Sequence, residues 1–222
     1  MIDLIGDNYS LLQVMSRFGL SLGFGDKTVK EVCEMNNVDC QTFLVVVNFM
    51  AEGFSRMDGS ADDISIPALV DYLRQAHIYF LDYCLPAIRR KLIEAIDCSQ
   101  DDVSFLILKF FDGYMREVRK HMEYEEKTVF KYVDTLIHGN APKNYQISTF
   151  SKHHDQVGER LTELKNIIIK YCPAKANTNV LNAALFDIYA CEEGLESHCK
   201  VEDYLFVPAI LKLERRMREN EK

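Results

Sequence analysis

The sequence predicts an all-α protein, an antiparallel four-helix bundle preceded by a small helical N-terminal module. Three observations predict it. Apolar residues recur three and four positions apart over four long stretches, no segment of useful length alternates with the period of a strand, and Gly-, Ser-, Asp- and Pro-bearing breaks separate the stretches. Short connections make neighbouring helices antiparallel. At about 1.5 Å per residue, a helix of about 24 residues runs about 36 Å, long enough for one continuous core.

Residues 1–54 form the N-terminal module. Asp7 to Phe18 reads as a short amphipathic helix on Leu11, Leu12, Val14, Met15 and Phe18, and three glycines in Gly19–Asp26 then mark a turn. Thr28 caps a helix through Val32 and Cys33, and Asp39 or Cys40 opens another through Phe43, Leu44, Val47 and Met50. Residues 55–65 lose periodicity and read as a linker. From 66 to 222 the long helices follow. The first begins at Ser65–Ile66–Pro67 and runs to about Ile96, with a kink expected at Pro86. The second spans about Asp101 to His138, the third starts between Asn144 and Ser148 and ends at Tyr171, and the fourth runs from about Asn177 to the end.

The 222 residues are 48% hydrophobic and 27% charged, a balance that suits a folded, water-soluble chain. A net charge of −8 and a pI near 5.3 argue against nucleic acid as a partner. Neither a signal peptide nor an apolar run of the roughly 20 residues that span a bilayer is visible, so a cytoplasmic protein without membrane attachment is expected. Cys33, Cys40, Cys84, Cys98, Cys172, Cys191 and Cys199 are scattered without a C-x-x-C pair and read as free thiols, with Cys199 set apart by its neighbour His198.

The anomaly lies on the apolar seams. On the last helix the seam runs Leu181, Ala184, Ile188, Cys191, Leu195, His198, Glu202, Leu205, Ala209, which puts a histidine and a glutamate one turn apart on the buried face. The second helix repeats this with Val118, His121, Glu125 and Val129. The first carries His77 between Leu73 and Phe80, and the third carries His154 between Phe150 and Val157, whereas His153 falls off the seam and His138 sits at a helix end. One histidine on an apolar face is usually a satisfied core residue. Four of the six on four separate seams, with two glutamates in register, ask for a cation, because a buried carboxylate costs several kcal/mol unless a partner compensates it.

The donors narrow the metal. Four imidazoles and two carboxylates exceed one tetrahedral zinc, and ungrouped cysteines disfavour a structural zinc or an iron–sulfur cluster. Paired iron is the economical fit, with manganese, zinc or a mixed pair compatible with the same donors. Tyr114, Tyr132, Tyr189 and Glu126 are candidates to orient the ligands.

In combination and order, His77, His121-x-x-x-Glu125, His154–Asp155, and His198-x-x-x-Glu202 followed by Leu205–Phe206–Val207–Pro208 resemble the hemerythrin-like family over residues 66–222. The resemblance implies a non-haem centre of two iron ions, bridged by both glutamates and an oxo or hydroxo group, with His77, His121, Glu125, His154, His198 and Glu202 as ligands. The N-terminal module is similar to that of the repair-of-iron-centres proteins through Arg17–Leu20 and Lys27–Cys33. Those relatives carry adjacent cysteines in the glycine-rich turn, where this chain has Gly23–Phe24. The expected function is therefore a di-iron protein that binds, senses or reacts with O2 or nitric oxide under stress, or handles iron. One rival is a catalyst that reduces nitric oxide or donates iron to an iron–sulfur protein client. The other is a metal-switched regulatory protein that forms a homodimer through its N-terminal module.

Overall fold

The computed structural model describes residues 1–52, 64–96, 102–140, 145–150, 156–173 and 176–220, and every regular element among them is helical. By their contacts they fall into two compact units.

The first unit comprises Met1–Ala76, Phe130–Ser151 and His198–Lys222. Where the sequence suggests one helix over Asp7–Phe18, the chain forms α1 (Ile2–Asp7) and α2 (Leu11–Arg17). The break has a local cause: Asn8 Oδ1 accepts hydrogen bonds from the Ser10 backbone N–H (3.0 Å) and hydroxyl (2.6 Å), a side-chain turn that competes with helix. Gly19, with φ +72°, ends α2. α3 (Val29–Met35) starts at a capping box in which Thr28 and Glu31 satisfy each other's backbone N–H groups. α4 (Cys40–Glu52) is opened by Asp39, whose carboxylate accepts from the Thr42 N–H at 2.7 Å, so Asp39 and not Cys40 is the cap. The hydroxyl of Thr42 in turn accepts from the Ser65 N–H at 2.8 Å, which ties α4 to the start of α5 (Ile66–Ile78). Phe18 packs its ring on Phe43 and Tyr72, and the buried Arg17 guanidinium donates to the Tyr72 hydroxyl at 3.3 Å.

The same unit holds α8 (Phe130–Ile137), a short 3-10 turn at Ile147–Thr149, and α11 (Val207–Asn220). Phe206 meets the edges of Phe130 and Phe150. Buried Glu214 on α11 accepts from the Tyr132 hydroxyl at 2.6 Å and from the Ile147 N–H at 3.0 Å. Burial, then the bond to Glu214, holds the Tyr132 phenol well above its ordinary pKa, so it remains a donor.

The second unit comprises His77–Val129 and Lys152–Ser197. It contains α6 (Leu85–Ala95), α7 (Asp102–Tyr124), α9 (Gln156–Tyr171) and most of α10 (Thr178–Val201). Arg89 grips Asp112 with two bonds of 2.6 and 3.1 Å, joining α6 to α7. Lys91 reaches Asp187 on α10 at 2.6 Å, Lys165 pairs with Glu192, and Arg160 on α9 pairs with Glu117 on α7. Asn177 starts α10, its side chain accepting from the Val180 N–H at 3.3 Å while its own N–H donates to Ala95 O at 2.9 Å.

Among the described residues, three wide π-helical turns interrupt the long helices, at Tyr79–Cys84, Glu125–Val129 and Glu202–Phe206. The expected kink at Pro86 takes this form. A wide turn loosens the regular ladder just ahead of the proline, where its missing N–H and the crowding of its ring would be felt, and Pro86 then sits in the first turn of α6. Pro208 stands in the same relation to the third wide turn. Where a helix is expected from about residue 144, the chain forms the 3-10 turn, whose Ile147 N–H donates to Glu214, and α9 is described only from Gln156. His153, His154, Asp155, Cys98 and most of the expected linker lie outside the described residues.

Glu214→Ala should lower the stability of the full chain by about 2–3 kcal/mol, since it orphans a buried hydroxyl and a buried N–H, and Tyr132→Phe by about 1 kcal/mol. Urea denaturation followed by circular dichroism measures both. An unchanged midpoint for Glu214→Ala would remove this residue from the core.

Candidate metal centre

In the second unit His77 and His121 face the same carboxylate, His121 through helix periodicity and His77 from another helix. His121 near the end of α7 and Glu125 at the start of the next wide turn are one turn apart, with His121 Nε2 2.7 Å from Glu125 Oε1. His77, at the end of α5, directs Nε2 to Glu125 Oε2 at 2.9 Å and Nδ1 to Glu126 Oε1 at 3.0 Å. Glu125 is 0% exposed. In the first unit His198 and Glu202 are likewise buried, 1% and 0% exposed, with Nε2 and Oε1 3.5 Å apart. Each unit thus buries a histidine beside a glutamate, His77 with Glu125 in the second and His198 with Glu202 in the first. The structure therefore holds buried His/Glu groups with the donor types of a metal site.

Two of the wide turns start at a glutamate of these groups, Glu125 and Glu202, and the third starts two residues after His77. A wide turn inserts one residue into a helical register, which lets a carboxylate and the apolar side chains beyond it share one buried face. After Glu202 the buried positions are Leu205, Phe206, Val207 and Ile210, so the seam passes through Ile210 where the sequence pattern led to Ala209.

The contacts of His77 carry the chemistry. A neutral imidazole has one N–H and one lone pair. If Nδ1–H donates to Glu126, Nε2 turns a lone pair toward a Glu125 oxygen 2.9 Å away, and two acceptors face each other. A proton between the two groups relieves this, and so does a cation held by both. Burial pulls the His77 imidazole down, but the hydrogen bonds and charges of Glu125 and Glu126 outweigh it and hold the ring above its ordinary pKa. Without metal, the proton takes the place of the cation.

Of the residues considered as orienting groups, Glu126 touches a cluster histidine. Tyr132 is turned to Glu214, Tyr189 is half exposed with the Lys165 ammonium 4.2 Å over its ring, and Tyr114 is buried on α7. His138 is exposed and bonds the Asp134 carbonyl. Cys191 is a core residue whose thiol is pushed well up by a hydrogen bond with Cys84 and by burial, while Cys199 is half-buried. The Cys84–Cys191 contact escapes sequence reading, although both residues stand on seams.

The family model described as hemerythrin HHE cation binding domain matches residues 68–210, more than half of the chain. That span contains every candidate ligand. No curated protein matches the chain.

In metal-free protein, His77 should titrate above the ordinary imidazole value and Glu126→Gln should bring it down. The stability gained from charged His77 is fully present below the unfolded imidazole pKa and is lost as pH rises through the raised folded value, so Glu126→Gln should flatten that dependence. NMR titration of the imidazole resonances tests this, and a His77 that titrates at or below the ordinary value contradicts it.

Proposed function

The chain belongs to the hemerythrin HHE cation-binding family, and from that premise we propose that it is a non-haem di-iron protein that binds, senses or reacts with O2 or nitric oxide in a stress response. His77, His121, Glu125, His198 and Glu202, together with His154, would hold the irons. The observation that carries the reading is the facing of His77 Nε2 and His121 Nε2 onto the two oxygens of one fully buried carboxylate. A single histidine–glutamate ion pair needs one such nitrogen; two directed at separate oxygens suit a carboxylate that shares its charge with more than one centre.

The bound irons would supply redox activity and an open position for a diatomic molecule. The chain's own groups prepare the site. Glu126 fixes the His77 ring through Nδ1, as a ligating histidine commonly uses its other nitrogen. Burial of Glu125 and Glu202 keeps water from competing for their oxygens. Kinship with the repair-of-iron-centres proteins would add an iron–sulfur protein as client. At the turn where those relatives have paired cysteines, Gly23 with φ +89° and Phe24 offer no thiolate, so that role would rest on iron from the centre alone.

A second reading, a regulatory protein that forms a homodimer through its N-terminal module and is switched by metal, is favoured by the exposure of Tyr9, Leu12, Leu22 and Met35. Sedimentation of the full chain with and without iron distinguishes them: a metal-dependent dimer weakened by Leu22→Asp supports the second reading, and a monomer in both conditions removes it.

Elemental analysis of freshly purified protein should give about two irons per chain. Glu202→Ala should cut metal content sharply with helical content retained, and iron should be released on acidification, because ligating imidazoles must be neutral. Full iron in Glu202→Ala would exclude this assignment.

A further inference from the structure

Away from the cluster, in the second unit, α7 and α9 border an open groove of about 600 Å³, a size typical of small-molecule sites. Its walls are apolar: Val103, Leu106 and Phe110 from α7, Ile167 and Tyr171 from α9. Leu106 is 56% and Tyr171 63% exposed, so the groove presents apolar surface to solvent. Among the described residues, the charged ones of its lining are Lys109 and Arg160, both cations, in a chain whose net charge is −8. Arg160 is paired with Glu117; Lys109 makes no ion pair among the described residues.

Gly113, also in the lining, supplies the second observation. It is helical, and a Cβ added there would meet only Arg116 Nη2, at 3.7 Å. Neither a left-handed backbone nor a close neighbour requires glycine at this position, where it weakens the helix. What the missing side chain leaves open is the groove. From Val103 to Gly113 the lining follows α7 for about 15 Å at about 1.5 Å per residue.

We propose that this groove binds an amphipathic monoanion, a medium-chain acyl carboxylate, with its chain against Leu106, Phe110 and Ile167 and its carboxylate at Lys109. The apolar walls select the chain, and the Lys109 ammonium selects the headgroup against the acidity of the rest of the protein. The site is independent of the metal centre.

Isothermal titration of the full chain with sodium decanoate and with decanol tests it. Decanoate should bind saturably at one site and more tightly than decanol. Lys109→Gln should weaken decanoate about fivefold and leave decanol unchanged. Gly113→Leu, which fills the groove, should abolish binding of both with helical content and iron content unchanged. Lys109→Gln, a change at an exposed position, keeps the test decisive should Gly113→Leu fold poorly. The proposal is overturned by no saturable binding, by equal affinity for decanoate and decanol, by retention on anionic vesicles without binding of monomeric decanoate, or by a groove variant that changes oligomeric state and leaves decanoate binding intact.

Discussion

Two carboxylates buried to 0% exposure, Glu125 and Glu202, set the condition that the rest of the structure has to meet. Each buried charge carries a penalty of several kcal/mol after relaxation, and a helical core of Phe, Leu and Ile offers nothing to offset it. The imidazoles do. His77 and His121 approach Glu125 from different helices, and His198 approaches Glu202 from the preceding turn. A neutral imidazole contributes one donated proton, however, and His77 directs one nitrogen to each of two carboxylates. The arrangement is satisfied when positive charge is added, which makes the cluster a competition between protons and a cation.

The helices bend to that demand. A regular helix returns the same face every three or four residues, and a side chain as short as glutamate reaches an interior site only if its own turn is correctly phased. The wide turns that begin at Glu125 and Glu202 add one residue each and restore an apolar face beyond the carboxylate, at Val129, Phe130 and Val133 in one case and Phe206 and Ile210 in the other. Such a turn forgoes regular hydrogen bonding, and its coincidence with the ligands in the helices places that cost at the site.

This phase shift marks the limit of what the sequence makes legible. Steps of three and four find Phe111, Tyr114, Val118 and Glu125, and they find His198 and Glu202, because up to the wide turn the register is that of an ordinary helix. Beyond it the same counting arrives at Ala209 in place of buried Ile210. Glu214 is missed for the same reason: continued from Phe206 through Ile210, the seam reaches Glu214, but from Ala209 it runs into the charged stretch Glu214–Glu219 and stops. Helix starts are legible where a side chain caps them, as Thr28, Asp39 and Asn177 do. The break at Asn8 was hidden by the apolar pattern of Asp7–Phe18, which says nothing of a side chain that turns back on its own backbone.

Donor geometry distinguishes a polar core from a metal site more sharply than composition does. A polar core is stable when each donor meets an acceptor, and the Tyr132–Glu214–Ile147 group meets that condition: a hydroxyl and an N–H share one carboxylate oxygen and the Arg218 guanidinium donates to the other at 3.3 Å, so it is complete without a metal ion. Around Glu125 the count differs. His77 Nε2 and His121 Nε2 address one oxygen each, and His77 Nδ1 addresses Glu126, so three nitrogen–oxygen contacts involve two imidazoles with one N–H apiece when neutral. At least one contact then brings lone pair against lone pair. Protonation can fill the deficit at the cost of a buried imidazolium, whereas a metal ion accepts lone pairs from both sides, which is what distinguishes this cluster from the Glu214 group in the same chain.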